Sequence, residues 1–582
     1  MAAGPIFNRE AMTAPRRLRQ FLMRSALVAG LLVLFYSIRQ ATVGFQDIRL
    51  AGDVAAFSNT TFQLFAMLQM TLAVFFATLF TAANIAQEKD RKTLILLLMT
   101  DMSNFELAVG KLLASLLSVA VLVATAIPVF CSLRLLGGVT WGQIIWTEVL
   151  VVAVALAAGS WGGLVAFWRE KTFQTLAISV LGVVLFVATA EAVAAAVGPG
   201  SAVGTVAGYL SPPRALMQLL NPLRNQYSGT VQVSAAPAVI SMLALAGMLT
   251  AVSVKMLRKW NPSLAVRESA MAAGGDSSKG ARSVKPRVHR SVWDNPVIWR
   301  EMKTRAYGRR IFWIKLAYVV ISIAVMFVAA SGTSSRQAAV LGMLSPPAFV
   351  FVGVGIMSLL LMNAQAVTSI TNERDGRTLE ILLVSDLSPK EFMIGKVGGA
   401  LWNAREMILL PLLILLWMTF GNRSLTPEHC VYVTVTWLVL CLFSVTLGLH
   451  GGMTYENSRS AIGNSLGTVF FLFVGIFIFM LLLVEARSSF AIQLQSFILF
   501  IGFGSLALYV SLTHRSPSGA LLVASALLPF LTFYAITEFL LGGSLGVGVA
   551  ICAAYGFAVV AMLVPSFSDF DIVLGRNSPG AG

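Results

Sequence analysis

The sequence predicts an all-α polytopic membrane protein made of two parallel-repeat six-span helical bundles, twelve spans in all, or fourteen if a further apolar pair at 494–538 also crosses. Three observations carry that prediction. Apolar windows of roughly 20 residues, the length a helix needs to cross a bilayer, recur from Ser25 to Pro565 with short polar breaks between them. Of the 582 residues, 57% are hydrophobic and only 12% are charged, more apolar surface than a soluble core can hide. A charged motif also occurs twice without a gap, once in each half of the chain.

Taken in order, Arg16, Arg17, Arg19 and Arg24 precede the apolar run Ser25–Ile38. No small-x-small cleavage site follows at Ser37-Ile38-Arg39-Gln40, so the run reads as a retained first span with a basic cytosolic flank. Spans are expected near 22–39, 62–86, 112–131, 144–167, 173–197 and 235–257, an even number that returns the chain to its starting side. Between 255 and 315 Lys and Arg far outnumber Glu268, Asp276, Asp294 and Glu301, and Ala272–Ser283 is rich in Gly, Ser and Ala. That composition marks residues 258–293 as a disordered basic cytosolic linker between halves 1–257 and 294–582. The second half offers spans near 311–330, 348–371, 400–420, 431–454, 462–484 and 543–565, plus apolar runs at 494–512 and 519–538. This extra pair is either a membrane hairpin or a cap on the outer face. Both counts are even, so both termini are expected in the cytosol.

The net charge of +16 does not point to nucleic acid, because the cations gather at span ends and in the linker, as the positive-inside rule places them. Cys131, Cys430, Cys441 and Cys552 lie far apart with no CxxC, and suggest neither a disulfide framework nor a metal site.

Residues 88–111 read EKDRKTLILLLMTDMSNFELAVGK and residues 373–396 read ERDGRTLEILLVSDLSPKEFMIGK. Eleven of the 24 positions are identical, where roughly two would match by chance. Among the identical pairs are Glu88/Glu373, Asp90/Asp375, Thr93/Thr378, Asp101/Asp386, Glu106/Glu391, Gly110/Gly395 and Lys111/Lys396. Pro5-Ile6-Phe7-Asn8-Arg9-Glu10 answers Pro296-Val297-Ile298-Trp299-Arg300-Glu301, Gly162-Gly163 answers Gly451-Gly452, and Ser211-Pro212 answers Ser516-Pro517. An even number of spans per half makes the repeats parallel copies. Within each motif a charged cluster ends the second span, a short apolar helix follows, and a polar break precedes the third span. Asp101 and Asp386 are expected to be the N-caps of that next helix.

This motif resembles the signature of the type-2 ABC permease family, approximately E-K-E-x-x-T-L-E-x-L-L-x-T/S-P-L-S-x-x-E-x-x-x-G-K. Both copies keep the acidic start, the Thr-Leu, the Leu-Leu, the Ser and the final Gly-Lys, but place Asp101 and Asp386 where the family has Pro, and the first copy has Ile95 for the second Glu. The resemblance implies a permease subunit of an ATP-driven exporter in the bacterial inner membrane. It implies a coupling helix that docks a separate ATPase, two copies per chain, with Glu88, Asp90, Thr93, Asp101, Glu106, Gly110, Glu373, Asp375, Thr378, Asp386, Glu391 and Gly395 in the coupling segments. It also implies that Arg9, Glu10, Arg300 and Glu301 lie on interfacial helices. ATP and Mg would sit on the partner ATPase, and this chain would bind no cofactor. Gly110-Lys111-Leu112 and Gly395-Lys396-Val397 lack the spacing and Ser/Thr of a P-loop, so the chain is not expected to be an enzyme.

Glu191 and the pair Arg405-Glu406 read as the most membrane-embedded charges, with snorkelling to an interface as the structural alternative. Asn84, Asn363 and Gln365 are expected to hydrogen-bond between helices, and His450 to pack rather than ligate metal. The scattered Met residues do not form a copper path. No residue selects a substrate. Two other classes remain open at this stage, a secondary transporter with duplicated halves and a non-transporting scaffold of ABC-permease architecture.

Overall fold

The computed structural model describes residues 4–13, 18–42, 51–170, 172–197, 201–220, 235–261, 293–303, 315–320, 346–376, 388–421, 425–477, 490–514, 518–540 and 545–573, with single positions at 322, 323, 326, 378 and 479. The expected linker lies almost wholly outside them. Every apolar run of the sequence that falls within them is helical, and no strand occurs among them. Among the described residues nine helices are long and apolar enough to cross a bilayer, or ten if one bent pair counts as a single span. The chain is therefore an all-α protein with the helices of a multi-pass membrane protein.

In the first half, α1 (Gly4–Thr13) precedes α2 (Leu18–Thr42) and the long α3 (Ala51–Asp90). At 1.5 Å per residue the 40-residue α3 is about 60 Å long, so it extends well beyond a hydrocarbon core of about 30 Å. The short α4 (Thr93–Leu98) follows, then α5 (Asn104–Leu135), α6 (Trp141–Trp168) and α7 (Thr172–Val197). Two small helices, α8 (Ala202–Tyr209) and α9 (Pro212–Leu220), precede α10 (Ala235–Trp260). Helix α10 runs past the expected linker start at 258, because Arg258 is held at the head of α5 by Asn104 Oδ1 (2.8 Å) and the Met102 carbonyl (3.3 Å).

The second half begins with α11 (Pro296–Lys303), followed after a helical stretch at 315–320 by α12 (Pro346–Asp375). Helices α13 (Pro389–Asn403) and α14 (Arg405–Leu416) meet at a bend of 54° and continue into a π-helical turn, Trp417–Gly421. Pro411 removes a backbone donor in α14, and the Trp437 indole donates to the Ile408 carbonyl at 3.1 Å. Then come α15 (Pro427–Thr454), α16 (Ser458–Phe470), α17 (Phe490–Leu512), α18 (Gly519–Leu540) and α19 (Leu545–Val573).

The charged segments gather at one end of the bundle, the near end; the opposite end is the far end. Helix α17 starts at the far end, where the Tyr36 hydroxyl donates to Gln495 (2.5 Å). It finishes toward the near end, where Ser511 and Leu512 accept from Tyr455 (2.7 Å) and His450 (2.9 Å). Helix α17 therefore runs along the bundle rather than across its far face, and α18 packs against it. His450 packs and hydrogen-bonds there, as expected.

Close packing follows one rule in both halves. A Cβ on Gly162 of α6 would lie 2.7 Å from the Thr78 carbonyl oxygen of α3, and one on Gly448 of α15 would lie 2.7 Å from that of Asn363 of α12. Only glycine permits this approach. The expected pairing of Gly162-Gly163 with Gly451-Gly452 is thus corrected by three positions: Gly448 is the counterpart of Gly162, because backbone approach, not the doublet, defines the site.

Candidate functional site

The near end is built by the two copies of the motif. In the first, Lys111 at the start of α5 pairs with Glu88 at the end of α3, and the Thr172 hydroxyl, opening α7, donates to Asp90. In the second, Lys396 pairs with Glu373 (2.8 Å), and the Ser458 hydroxyl, opening α16, donates to Asp375. Lys89 donates to the Phe167 (2.5 Å) and Arg169 (3.0 Å) carbonyls that end α6, and Arg374 to the Gly452 (2.9 Å) and Tyr455 (2.6 Å) carbonyls that end α15. Cations at helix C-termini satisfy orphan carbonyls and oppose the dipole. The same interactions thus recur about 285 residues apart, at positions beyond the aligned motif.

Helix α11 adds a buried cluster to the second copy. Lys396, 1% exposed, also binds Glu301 (2.8 Å), and Arg300 reaches both Glu373 and Glu301 (3.2 Å). Burial is the largest influence on the Glu301 carboxyl and acts to raise its pKa, but Lys396 and Arg300 outweigh it and hold the group below its ordinary value. Glycines let α11 approach: a Cβ on Gly399 would lie 2.5 Å from the Glu301 Cβ, and one on Gly395 2.7 Å from that of Val297. In the first half Arg9 and Glu10 lie 3.5 Å apart on α1, and Gly110 is buried at the head of α5.

The N-caps differ from expectation. Ser103 and Ser388, not Asp101 and Asp386, cap α5 and α13, each in a capping box with Glu106 or Glu391. A cap must accept from the N–H three residues on, and Asp101 stands two residues too early and is exposed. Asp386 lies outside the described residues. Thr93 and Thr378 donate to the carbonyls of Glu88 (3.2 Å) and Glu373 (3.1 Å), tying the chain back after each helix end.

Helix α4 rests on a small core of its own. Leu94 is buried with Ile6 of α1, Ile85, Leu107, Ala108, Phe167 and Leu257. From that anchor Leu96 (64% exposed), Met99 (74%) and Phe105 (53%) project away from the bundle. The charge pattern of this segment points to its acids and not to these three, whose signal is an apolar run at a span end with more apolar residues than one buried face needs. The second copy at 379–387 lies outside the described residues.

Of the embedded charges, Glu191 binds Arg214 (2.7 Å) and accepts from Ser211, which staples α7 to α9. Glu406 binds Lys315 (2.5 Å) at the α13–α14 break, and Arg405 is exposed beside Trp402. Among the described residues, the buried carboxylate in the interior of a span is instead Glu148 of α6, 9% exposed, which accepts from the Gln69 amide (3.1 and 3.2 Å). It stands inside a run the sequence marks as apolar, a visible signal that was missed. Asn84 binds Ser115 (2.9 Å), and Asn363 binds the Ser444 carbonyl (2.9 Å) and Ser465 (2.8 Å), as expected of interhelical amides. Gln365 is fully buried, and its amide meets no hydrogen-bond partner among the described residues. No cluster of His, Cys, Asp or Glu among the described residues is arranged to hold a metal.

A cavity of about 920 Å³ lies between the halves, walled by α3, α6, α7 and α10 on one side and by α12, Phe470 and Val474 on the other. It extends from Pro212 and Pro213 at the far end to Trp168 and Arg169 at the near end. No family model, curated protein or solved structure matches this chain.

Proposed function

We propose that the chain is the fused permease of an ATP-driven ABC exporter, with both membrane halves in one polypeptide and the ATPase on separate subunits. The observation that carries this reading is the segment at α4, a short helix beyond a span end anchored by Leu94, where Leu96 of α4, its C-cap Met99 and Phe105 at the head of α5 are exposed together. Exposed apolar side chains on a rigid element outside the bilayer suit a protein partner. The recurring Glu–Lys pairs fit the same reading differently from the sequence expectation. Glu88, Asp90, Glu373 and Asp375 have partners within the chain, so their role is to set the coupling segment on its span while the apolar tip docks. In this arrangement the near end, both termini and the linker are cytosolic, and the host membrane is the bacterial inner membrane. Catalysis, with ATP and Mg, belongs to the partner.

The test is co-purification of the ATPase with Leu96→Ser/Met99→Ser/Phe105→Ser, alongside ATPase stimulation in reconstituted vesicles. Loss of both with an unchanged Tm is expected; full retention of the ATPase would remove α4 from the coupling role. Glu148 favours a second reading, a carrier driven by an ion gradient, since an intramembrane acid is the residue type such carriers use. Transport driven by a proton gradient without ATP, and abolished by Glu148→Gln, would select it.

A further inference from the structure

The cavity between the halves has a chemical character that narrows what it can receive. Its walls are aliphatic and aromatic from end to end, with Thr71, Thr78 and Thr189 among the few polar side chains. Each of these hydroxyls already donates within its own helix, to the carbonyls of Met67 (2.8 Å), Val74 (2.9 Å) and Phe186 (2.9 Å). Their donors are spent, so the walls cannot replace the hydration of a sugar chain or a small ion, and such a ligand would lose its water without compensation. An apolar occupant loses nothing.

Among the described residues one charged side chain lines the cavity, and it stands at the near end. Arg169 ends α6, with its guanidinium 3.5 Å from the centroid of the Trp168 ring, and the Lys89 ammonium binds its carbonyl at 3.0 Å. A cation on an aromatic platform at the mouth of an apolar slot is arranged for a molecule with an anionic head and a long apolar body. The second half has no equivalent: the residue that ends α15 is Tyr455, stacked on His514 at 4.9 Å. At about 920 Å³ the volume is at the top of the roughly 300–1,000 Å³ range of ligand pockets, suited to a chain-bearing lipid rather than a compact solute.

We propose that this slot binds an acidic phospholipid of the near-end leaflet, with its headgroup at Arg169 and its acyl chains between Ala157 and Trp161 of α6 and Gly353 and Met357 of α12. That this lipid is the exported cargo rests on the transporter reading above; that it binds does not.

The test uses the full chain alone, without ATPase, in phosphatidylcholine vesicles carrying a trace of phosphatidylglycerol with a photoactivatable group on its acyl chain. Labelling is expected on 154–161 and 353–360, and excess phosphatidylglycerol should suppress it about tenfold more effectively than excess phosphatidylcholine, a tenfold ratio being one decade of affinity. Arg169→Gln should erase that headgroup preference and Arg169→Lys should keep most of it. Ala158→Trp and Met357→Trp, which fill the slot from opposite walls, should each remove slot labelling while outward-facing Leu413 and Val431 stay labelled. Label confined to outward-facing residues, equal competition by the two lipids, or an unchanged preference in Arg169→Gln would each overturn the proposal. Failure of an ATPase to bind the chain would leave all these outcomes readable.

Discussion

At the scale of single residues, the near end is held by charges removed from water, and such charges are costly when one partner is lost. Lys396 is 1% exposed and serves Glu301 and Glu373 together. Lys396→Met should therefore destabilise by about 3–5 kcal/mol, the range for breaking a buried pair, and lower Tm in detergent. Lys111→Met should cost less, because Glu88 is 27% exposed and can recover water. The same pairs alter what a charge reversal reports: Glu88→Lys opposes Lys111, so weaker ATPase binding in that variant should come with a lowered Tm. The pH dependence has a defined sign. With its folded pKa depressed, Glu301 contributes stability above the unfolded value of about 4.3 and loses it as pH falls through the folded value. Thermal unfolding followed below about pH 5 should show an acid-side decline that is reduced in Glu301→Gln, which starts from a lower Tm.

Among elements, α3 and α6 in one half and α12 and α15 in the other meet through a glycine against a carbonyl. Gly448→Ala would place a methyl 2.7 Å from the Asn363 oxygen, so a loss of about 1–3 kcal/mol is expected, the range for overpacking a close-packed core. Gly247→Ala is the control, since nothing lies within 4 Å of a Cβ there, and it should match or exceed the parent in Tm. Helix α4 behaves differently because its exposed face buries nothing against the described residues. Substitutions at Leu96 and Met99 should leave Tm unchanged while weakening binding of the ATPase proposed above.

For the whole molecule, the two halves touch along their length. Phe75 stacks on Phe470 at 4.6 Å, Arg91 pairs with Asp375 at 3.2 Å, and α2 lies against α17 through Tyr36 and Gln495. Residues 1–275 and 276–582 expressed as separate chains should therefore reassociate and co-purify; halves that insert but remain apart would give the linker a structural role. Reporters at Gly274 and Gly582 should both report cytosol. A third at Ser518, just before α18, should also be reached from the cytosolic side, because Ser511 sits against Tyr455; access only from outside would refute the hairpin.

Helix positions were legible in the sequence because a bilayer demands long apolar runs, and the expected runs are helical where they are described; nine of these helices, or ten with the bent pair, are long enough to cross, against the twelve or fourteen expected. The repeat was legible because duplicated side chains such as Glu88/Glu373 and Lys111/Lys396 keep their order along the chain. What these residues touch was not legible, since an ion pair depends on which helix ends meet. Only the fold sets Lys396 against Glu301, gives Glu148 an amide instead of a cation, and turns Leu96 and Met99 outward while Leu94 turns in. The correction from Gly451 to Gly448 has the same origin: a repeated doublet is a pattern in one dimension, whereas the need for a glycine arises where another helix's backbone passes. The slot between the halves is wholly tertiary. No residue in its walls is unusual for a span, and its apolar length with one cationic mouth exists only once α3, α6 and α12 stand together.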